Sequence, residues 1–115
     1  MTQETRAPQR GEIWWLSLDP TLGHEQAGRR PVFVLSDGGY NARVGLMVCC
    51  PITNRAKGYP LEFGLPSGLL TSGVVLADQL KSVDWRERRA EFIEGVPGAT
   101  TAEVLRRSRV MLSDE

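Results

Sequence analysis

Helical periodicity is confined to the end of this chain, and short apolar runs separated by glycine and proline precede it. From Val104 to Leu112, apolar side chains recur at helical spacing, and Thr100 to Glu103 matches a capping box. The earlier runs have the length and the β-branched and aromatic content of strands. They cover residues 12–18, 31–36, 44–50, 61–63, 73–80 and 90–93. Short strands, tight turns and one closing helix predict a mainly β fold, a small barrel with a C-terminal α-helix packed on it.

The first predicted strand has a different character on each of its faces. Trp14, Leu16 and Leu18 share one face and are expected in the core, whereas Ile13 and Trp15 lie on the other. We expect this second face to be partly exposed in a monomer. It would then form an interface between two copies of the chain.

The third predicted strand, residues 44–50, is almost continuously apolar, which favours a central position in the sheet. Pro51 is expected to end it because proline cannot donate to a strand ladder. Cys49 and Cys50 are adjacent, so their side chains point to opposite faces and a disulfide between them would be strained. We expect two reduced core residues. The sequence offers no cluster of cysteine and histidine for a metal site.

Length and charge limit the classes of function. The chain has 115 residues with 14 basic and 14 acidic side chains, so its formal net charge is zero. This length predicts one domain over residues 11–115, after a frayed polar tail over residues 1–10. Neutrality disfavours a long-range electrostatic nucleic-acid binder but is compatible with a local basic cleft. Without an apolar run of about 18 residues or a signal-peptide core, the expected location is cytoplasmic and away from membranes.

The densest polar chemistry lies in residues 25–32, where a carboxylate, an amide and two guanidinium groups occupy a glycine-bearing segment. A guanidinium can donate two parallel hydrogen bonds to phosphate oxygens, so this segment predicts a site that grips a phosphate. Taken alone, Arg30 before a strand is more typical of a solvated surface charge. Thr53 after a proline is likewise more typical of a turn residue.

Four segments carry a more specific pattern. They are Gly11-Glu12-Ile13-Trp14 with Asp19-Pro20; Glu25-Gln26-Ala27-Gly28 with Arg30-Pro31; Pro51-Ile52-Thr53 with Lys57-Gly58-Tyr59-Pro60; and Gly73-Val74-Val75-Leu76-Ala77-Asp78-Gln79 with Lys81-Ser82. In this order and spacing, over residues 11 to about 112, the chain resembles the MazF/PemK toxins of bacterial toxin–antitoxin pairs. The resemblance implies an SH3-like barrel, a homodimer, and cleavage of single-stranded RNA at short specific sequences without metal or cofactor. It also implies a cognate antitoxin whose acidic, extended tail lies over the RNA-binding surface.

The resemblance further implies that Arg30 and Thr53 are catalytic. Metal-free RNA cleavage uses the neighbouring 2′-hydroxyl as nucleophile and leaves a 2′,3′-cyclic phosphate and a 5′-hydroxyl. Arg30, permanently protonated, suits stabilisation of the phosphorane charge, and Thr53 supplies a hydroxyl to a phosphate oxygen. Glu25 is the candidate base, with orientation of Arg30 as its alternative role, and the proton donor is unassigned. Positions expected to bind RNA are Gln26, Arg29, Lys57, Asp78 and Gln79.

For other polar residues the sequence predicts structural or surface roles rather than catalytic ones. His24 is expected to be a surface-loop residue, Lys81 to support the fold, and residues 86–89 to form a solvated turn. Asn54 stands where close relatives often carry a second hydroxyl. This difference would change the preference for particular RNA bases. The same barrel also serves as a gyrase poison that acts through protein contacts alone. That non-enzymatic toxin is the alternative function, and an RNA-binding relic without turnover is a third.

Overall fold

The computed structural model describes residues 6–17 and 28–113. Within them the chain forms seven strands and two helices. In chain order these are β1 (Glu12–Ser17), β2 (Arg29–Val34), α1 (Gly38–Val44), β3 (Leu46–Thr53), β4 (Glu62–Gly64), β5 (Val74–Leu76), β6 (Lys81–Asp84), β7 (Glu91–Gly95) and α2 (Gly98–Leu112). The predicted mainly β fold with a C-terminal helix is confirmed. No helix among the described residues is long and apolar enough to cross a membrane.

The strand β3 is the centre of the antiparallel sheet, as its apolar sequence predicts. Along one side it pairs with β2, and along the other it pairs first with β6 and then with β5. The strand order is β4-β5-β3-β2-β1-β7, with β6 attached to β3 off this path. The strand β3 therefore pairs with β6 along its first half and with β5 along its second half, and the sheet is barrel-like.

Pro51 lies within β3, so the prediction that it ends the strand is wrong. It stands opposite Val32 of β2, and the strand continues to Thr53. On the other side of β3, pairing with β6 extends to Cys49, and pairing with β5 begins at Ile52. Pro51 therefore occupies the position where β3 changes partner, and its missing N–H interrupts neither ladder.

The two faces of the sheet bury separate apolar clusters. The first consists of Ala7, Trp14, Leu16, Val32, Val34, Met47, Cys49, Val83 and Trp85. The second consists of Ile13, Phe33, Leu35, Cys50, Ile52, Val75, Ala77 and, from α2, Val104. The expectation that Ile13 lies on an exposed face is wrong, because α2 and β5 cover that face and leave Ile13 fully buried. Trp15 is half-buried, as expected.

Each cluster contains one of the adjacent cysteines, which are free and buried, as predicted. Burial raises the pKa of the Cys49 thiol to about 12 and that of the Cys50 thiol to about 11. Both side chains are therefore protonated core residues at neutral pH.

The helix α2 begins earlier than the capping box predicts. Its N-cap is Pro97, without a side-chain cap hydrogen bond, and Thr100 is buried in the first turns. The Glu103 carboxylate instead accepts hydrogen bonds from the guanidinium groups of Arg106 and Arg107. The predicted capping box is wrong because the chain is already helical at Gly98.

The apolar face of α2 also ends sooner than its sequence suggests. Val104 and Ser108 are buried, whereas Met111 and Leu112 are 41% and 67% exposed. The apolar side chains of the last turn of the helix therefore meet solvent in this single chain.

Residues 73–80 form a short strand and a turn rather than one strand. The Gln79 N–H donates to the Leu76 carbonyl at 3.0 Å and turns the chain into β6. After β6, Trp85 is 1% exposed, and its indole N–H donates to the Asn41 carbonyl at 3.0 Å. Trp85 is therefore a core residue, although the charged residues next to it in the sequence are typical of a solvated segment.

Part of the predicted N-terminal tail packs on the sheet. Ala7 belongs to the first apolar cluster, and the Arg6 guanidinium pairs with Glu12 at 3.0 Å. The same guanidinium lies over the rings of Trp14 and Phe92, 5.6 and 4.8 Å from their centroids. The prediction of a frayed tail is therefore wrong for residues 6–10, and its remainder lies outside the described residues.

We expect Glu94→Gln to destabilise the fold in a pH-dependent way. The Glu94 carboxylate on β7 accepts the N–H groups of Leu70 and Thr71 at 2.9 and 2.8 Å. Partial burial acts to raise the pKa of this carboxyl, but hydrogen bonds from the Leu70 N–H and from the side chain and N–H of Thr71 outweigh it and hold that pKa below its ordinary 4.5. The stabilisation is therefore present above the ordinary pKa and lost as pH falls through the lowered value.

The variant should lose about 1 kcal/mol of unfolding free energy near neutral pH. Its difference from the parent should shrink on acidification below pH 4.5. Urea titrations of both proteins at a series of pH values measure this difference. A difference that does not change with pH would contradict the role given to this carboxylate.

Candidate functional site

One face of the sheet changes from apolar to cationic along its strands. Alternate residues of a strand share a face, so Arg30 continues the face of Val32, and Lys81 continues that of Val83. Both valines belong to the first apolar cluster. The charged residues lie just past the edge of that cluster, where solvent reaches the sheet.

A cleft of about 600 Å³ opens at this edge. Its walls include five cationic side chains and one carboxylate among the described residues: Arg30, Arg55, Lys57, Lys81, Arg88 and Glu62. The other lining residues are Leu16, Val32, Pro51, Ile52, Thr53, Tyr59, Leu76 and Gln79. A strongly cationic cleft on a chain of zero net charge confirms that local basic chemistry is compatible with overall neutrality.

Arg30 and Thr53 share this cleft and also a smaller adjoining cavity of about 420 Å³. The paired register of β2 and β3, continued two residues past Val32 and Pro51, places them across from each other. The Thr53 hydroxyl oxygen accepts the Arg55 N–H at 3.1 Å, which leaves the hydroxyl proton for another acceptor. The structure therefore brings together a guanidinium and a hydroxyl donor that can approach one phosphate.

Arg29 lies on the opposite face of β2 from Arg30. Its guanidinium pairs with Glu91 at 2.8 Å and lies over the Trp15 ring, 5.0 Å from the centroid. Arg29, predicted to bind RNA, therefore does not line the cleft in which Arg30 lies. Strand alternation separates their side chains.

The other predicted RNA-binding residues are divided between two places. Lys57 and Gln79 line the cleft, and the Gln79 amide donates to the Tyr59 hydroxyl at 3.4 Å. Asp78 does not line it. One Asp78 carboxylate oxygen is buried without a hydrogen-bond partner among the described residues, and its charge acts to raise the pKa of the Cys50 thiol. Asp78 therefore lies beside the second apolar cluster.

Glu25, Gln26 and His24 lie outside the described residues, so their predicted roles stay predictions. Within residues 6–17 and 28–113, no group of three or more histidine, cysteine, aspartate or glutamate side chains is placed to hold a metal ion.

Sequence reasoning missed several residues of the cleft. Lys81 lines it rather than serving only the fold, and its position two residues before Val83 is a signal that strand alternation could have supplied. Arg88, expected in a solvated turn, lines the cleft and donates to the Ser17 carbonyl at 3.3 Å. Arg55 and Glu62 lie in or beside the segment that follows β3, and no local pattern marks them.

Residues 9–112 match the protein family described as "PemK-like, MazF-like toxin of type II toxin-antitoxin system". All four segments that carry the sequence resemblance lie within this range. Endoribonuclease toxin MazF of Escherichia coli strain K12 is 51% identical over 83 residues, 72% of this chain and 74% of that protein. Endoribonuclease PemK of Escherichia coli is 38% identical over 110 residues, 91% of this chain and 82% of that protein.

Solved structures show the same fold. MazF (Form-I) from Deinococcus radiodurans has a TM-score of 0.83 at 50% identity, over 94% of this chain and 98% of that chain. The MazE–MazF complex (Form-II) from the same organism has a TM-score of 0.83 at 44% identity, over 96% of this chain and 100% of that chain.

We expect Gly73→Ala to destabilise the fold through Thr53. Gly73 has a φ of +115°, which side chains with a Cβ rarely adopt, and a Cβ there would collide with the Thr53 carbonyl. The variant should lose roughly 2 kcal/mol of unfolding free energy in urea titrations. Gly64→Ala is the matched control, because Gly64 pairs with Val74 in the adjacent strand and a Cβ there meets nothing within 4 Å. Equal losses in both variants would contradict the close approach at Thr53.

Proposed function

This chain belongs to the PemK-like, MazF-like family of type II toxins, and we propose that it is an endoribonuclease that cuts single-stranded RNA at short specific sequences, inhibiting translation and growth. The observation that carries this proposal is the meeting of Arg30 and Thr53 in one cationic cleft. Relatives at 38 and 51% identity that are named endoribonucleases support it.

The cleft offers the charge that metal-free cleavage of RNA requires. The 2′-hydroxyl oxygen forms a bond to phosphorus as the bond to the 5′-oxygen breaks, and negative charge collects on the non-bridging oxygens. Arg30 donates hydrogen bonds to these oxygens without giving up a proton, because a guanidinium group stays protonated in proteins. The Thr53 hydroxyl, whose oxygen accepts the Arg55 N–H, donates a hydrogen bond to the same phosphate.

Two proton transfers complete the reaction. A base removes the proton of the 2′-hydroxyl, and Glu25 takes this role in the proposal, on the strength of its place in the family pattern and its nearness to Arg30 in sequence. An acid protonates the leaving 5′-oxygen, which becomes the 5′-hydroxyl of one product. The other product ends in a 2′,3′-cyclic phosphate.

The remaining cleft residues suit the binding of a single RNA strand. Arg55, Lys57 and Lys81 supply positive charge for flanking phosphates. Tyr59 and Gln79 offer a ring for stacking and an amide for base edges. Gln26 joins this set from outside the described residues, while Arg29 and Asp78 lie away from the cleft.

We propose that an antitoxin controls the enzyme by competing for the same cations. The MazE–MazF complexes from Deinococcus radiodurans show that a relative assembles with a second protein, MazE. An acidic, extended peptide presents carboxylates to the cleft much as RNA presents phosphates, so occupation by one excludes the other. An RNA substrate and such an antitoxin fit a cytoplasmic site of action.

The catalytic proposal is tested with a mixed single-stranded RNA pool in EDTA. The parent should give discrete cuts with cyclic phosphate ends, and Arg30→Ala and Thr53→Ala should each reduce the cleavage rate by about 10²–10³-fold. Arg29→Ala is the matched control, because it removes the adjacent guanidinium from the other face of β2 and should leave the rate within a few fold.

Three results would overturn the assignment in different ways. Intact RNA together with inhibited DNA supercoiling would support the gyrase poison. RNA retention without cleavage by the parent would support a binding relic. Equal losses in Arg29→Ala and Arg30→Ala would remove the special role of Arg30.

We also propose that the chain acts as a homodimer through the exposed last turn of α2. Val110, Met111 and Leu112 are 54, 41 and 67% exposed there, and a second copy can cover these apolar side chains. Trp15, expected at the interface from the sequence, lies under the Arg29 guanidinium, and its role there stays a prediction.

Sedimentation equilibrium at micromolar concentration tests this assembly. The parent should be a dimer, and Leu112→Glu should raise its dissociation constant at least about tenfold because a charge would enter the apolar contact. Leu70→Glu, at a residue 82% exposed in the loop before β5, is the control and should remain dimeric. A monomeric parent that still cuts RNA would contradict the proposal.

A further inference from the structure

Glu62 is a carboxylate in the wall of the cleft that is only 9% exposed. It stands at the start of β4, five residues after Lys57, whose side chain also lines the cleft. We propose that Glu62 is a positioning residue that holds Lys57 at the cleft for contact with an RNA phosphate. This inference rests on the proposed function.

The contacts of Glu62 are made with the backbone that carries Lys57. The carboxylate accepts the Lys57 N–H at 3.1 and 2.9 Å from its two oxygens, and the Gly58 N–H at 2.9 Å. Gly58 has a φ of +85°, the left-handed conformation that favours glycine. Two successive N–H groups therefore converge on one anion and fix the direction in which the chain leaves Lys57.

This arrangement separates Glu62 from the proton transfers of the reaction. Both oxygens of Glu62 accept backbone N–H groups, so the carboxylate is held against the loop. Its negative charge is also the only one among the described residues that line the cleft, where an isolated carboxylate would repel RNA. Engagement by two backbone donors reduces that repulsion while the ammonium group of Lys57 remains available to phosphate.

The same segment is fixed from the side of α2. The Arg107 guanidinium donates to the backbone carbonyls of Glu62 at 2.6 Å and Pro60 at 3.1 Å, and it lies over the Phe63 ring. The end of the segment is thus held by Arg107, whereas its turn at Lys57 and Gly58 is held by the carboxylate. Loss of the carboxylate should free the turn while β4 stays paired with β5.

Glu94 provides a matched control for a merely structural role. Its carboxylate also accepts two successive backbone N–H groups of a loop, those of Leu70 and Thr71, but it does not line the cleft. Glu62→Gln and Glu94→Gln therefore remove the same kind of loop anchor from two places. Of the two loops, only the one held by Glu62 contains a cationic residue of the cleft, Lys57.

The test is a double-mutant cycle with Lys57→Ala. Binding is measured with a fluorescent single-stranded RNA in which every 2′-hydroxyl is methylated, so that it cannot be cut, at several salt concentrations. Glu62→Gln and Lys57→Ala should each raise the Kd about tenfold and lower the slope of log K against log salt by about 0.7, the loss of one phosphate contact. The double variant should match Lys57→Ala alone, because the carboxylate acts through the lysine.

Cleavage of unmodified RNA supplies a second readout. Glu62→Gln should raise KM about tenfold and leave kcat within a few fold, since Arg30 and Thr53 are untouched. Glu94→Gln should lose stability without a change in Kd, KM or salt slope.

Two results would overturn the positioning role: additive effects of Glu62→Gln and Lys57→Ala, or an equal loss of binding in Glu94→Gln. Failure of the proposed function has a different signature, a parent that binds the methylated RNA and never cuts the unmodified one. A parent that binds no RNA overturns both proposals.

Discussion

The antiparallel register between β2 and β3 determines which side chains meet in the cleft. With Val32 opposite Pro51, the pairing continues toward Arg30 and Thr53, and both side chains reach the same space. A shift of one residue would exchange the faces of β2 and bring Arg29 to the cleft in place of Arg30. The apolar clusters on the two faces prevent such a shift, because it would expose Val32 and Val34 to the wrong environment. Packing in the core therefore fixes the position of the proposed chemistry.

Much of the fold could be predicted from the sequence, because strand segments and the closing helix have distinct apolar periods. The errors arose where a tertiary partner decides the outcome. Pro51 is accepted inside β3 since the strand changes neighbours there, and Ile13 is buried since α2 covers its face. The helix α2 likewise begins at Gly98, where the Thr101 N–H donates to the Pro97 carbonyl, so the threonine pattern that follows does not mark its start.

The site could be predicted only in part for the same reason. Arg30 and Thr53 were identified through a resemblance spread over four segments, and the fold brings them to one cleft. Strand alternation alone is enough to separate the side chain of Arg29 from that of Arg30. Glu62 could not have been found in this way, since its importance comes from three hydrogen bonds to a loop whose path the sequence does not specify. Alternation predicts the faces of a strand, whereas the partners of a buried charge depend on how distant segments fold together.

Zero net charge combined with a cationic cleft has a consequence for how this molecule meets other molecules. The cleft gathers five positive charges, those of Arg30, Arg55, Lys57, Lys81 and Arg88, against the single negative charge of Glu62 among its described lining residues, so most of the compensating acidic groups lie elsewhere in the chain. Such a separation gives the protein an electric dipole rather than a monopole. A nearby polyanion then exerts a torque that turns the open mouth toward it, without a strong pull at long range. Capture is therefore governed by orientation during the last few ångströms of approach, within the screening length of cellular salt.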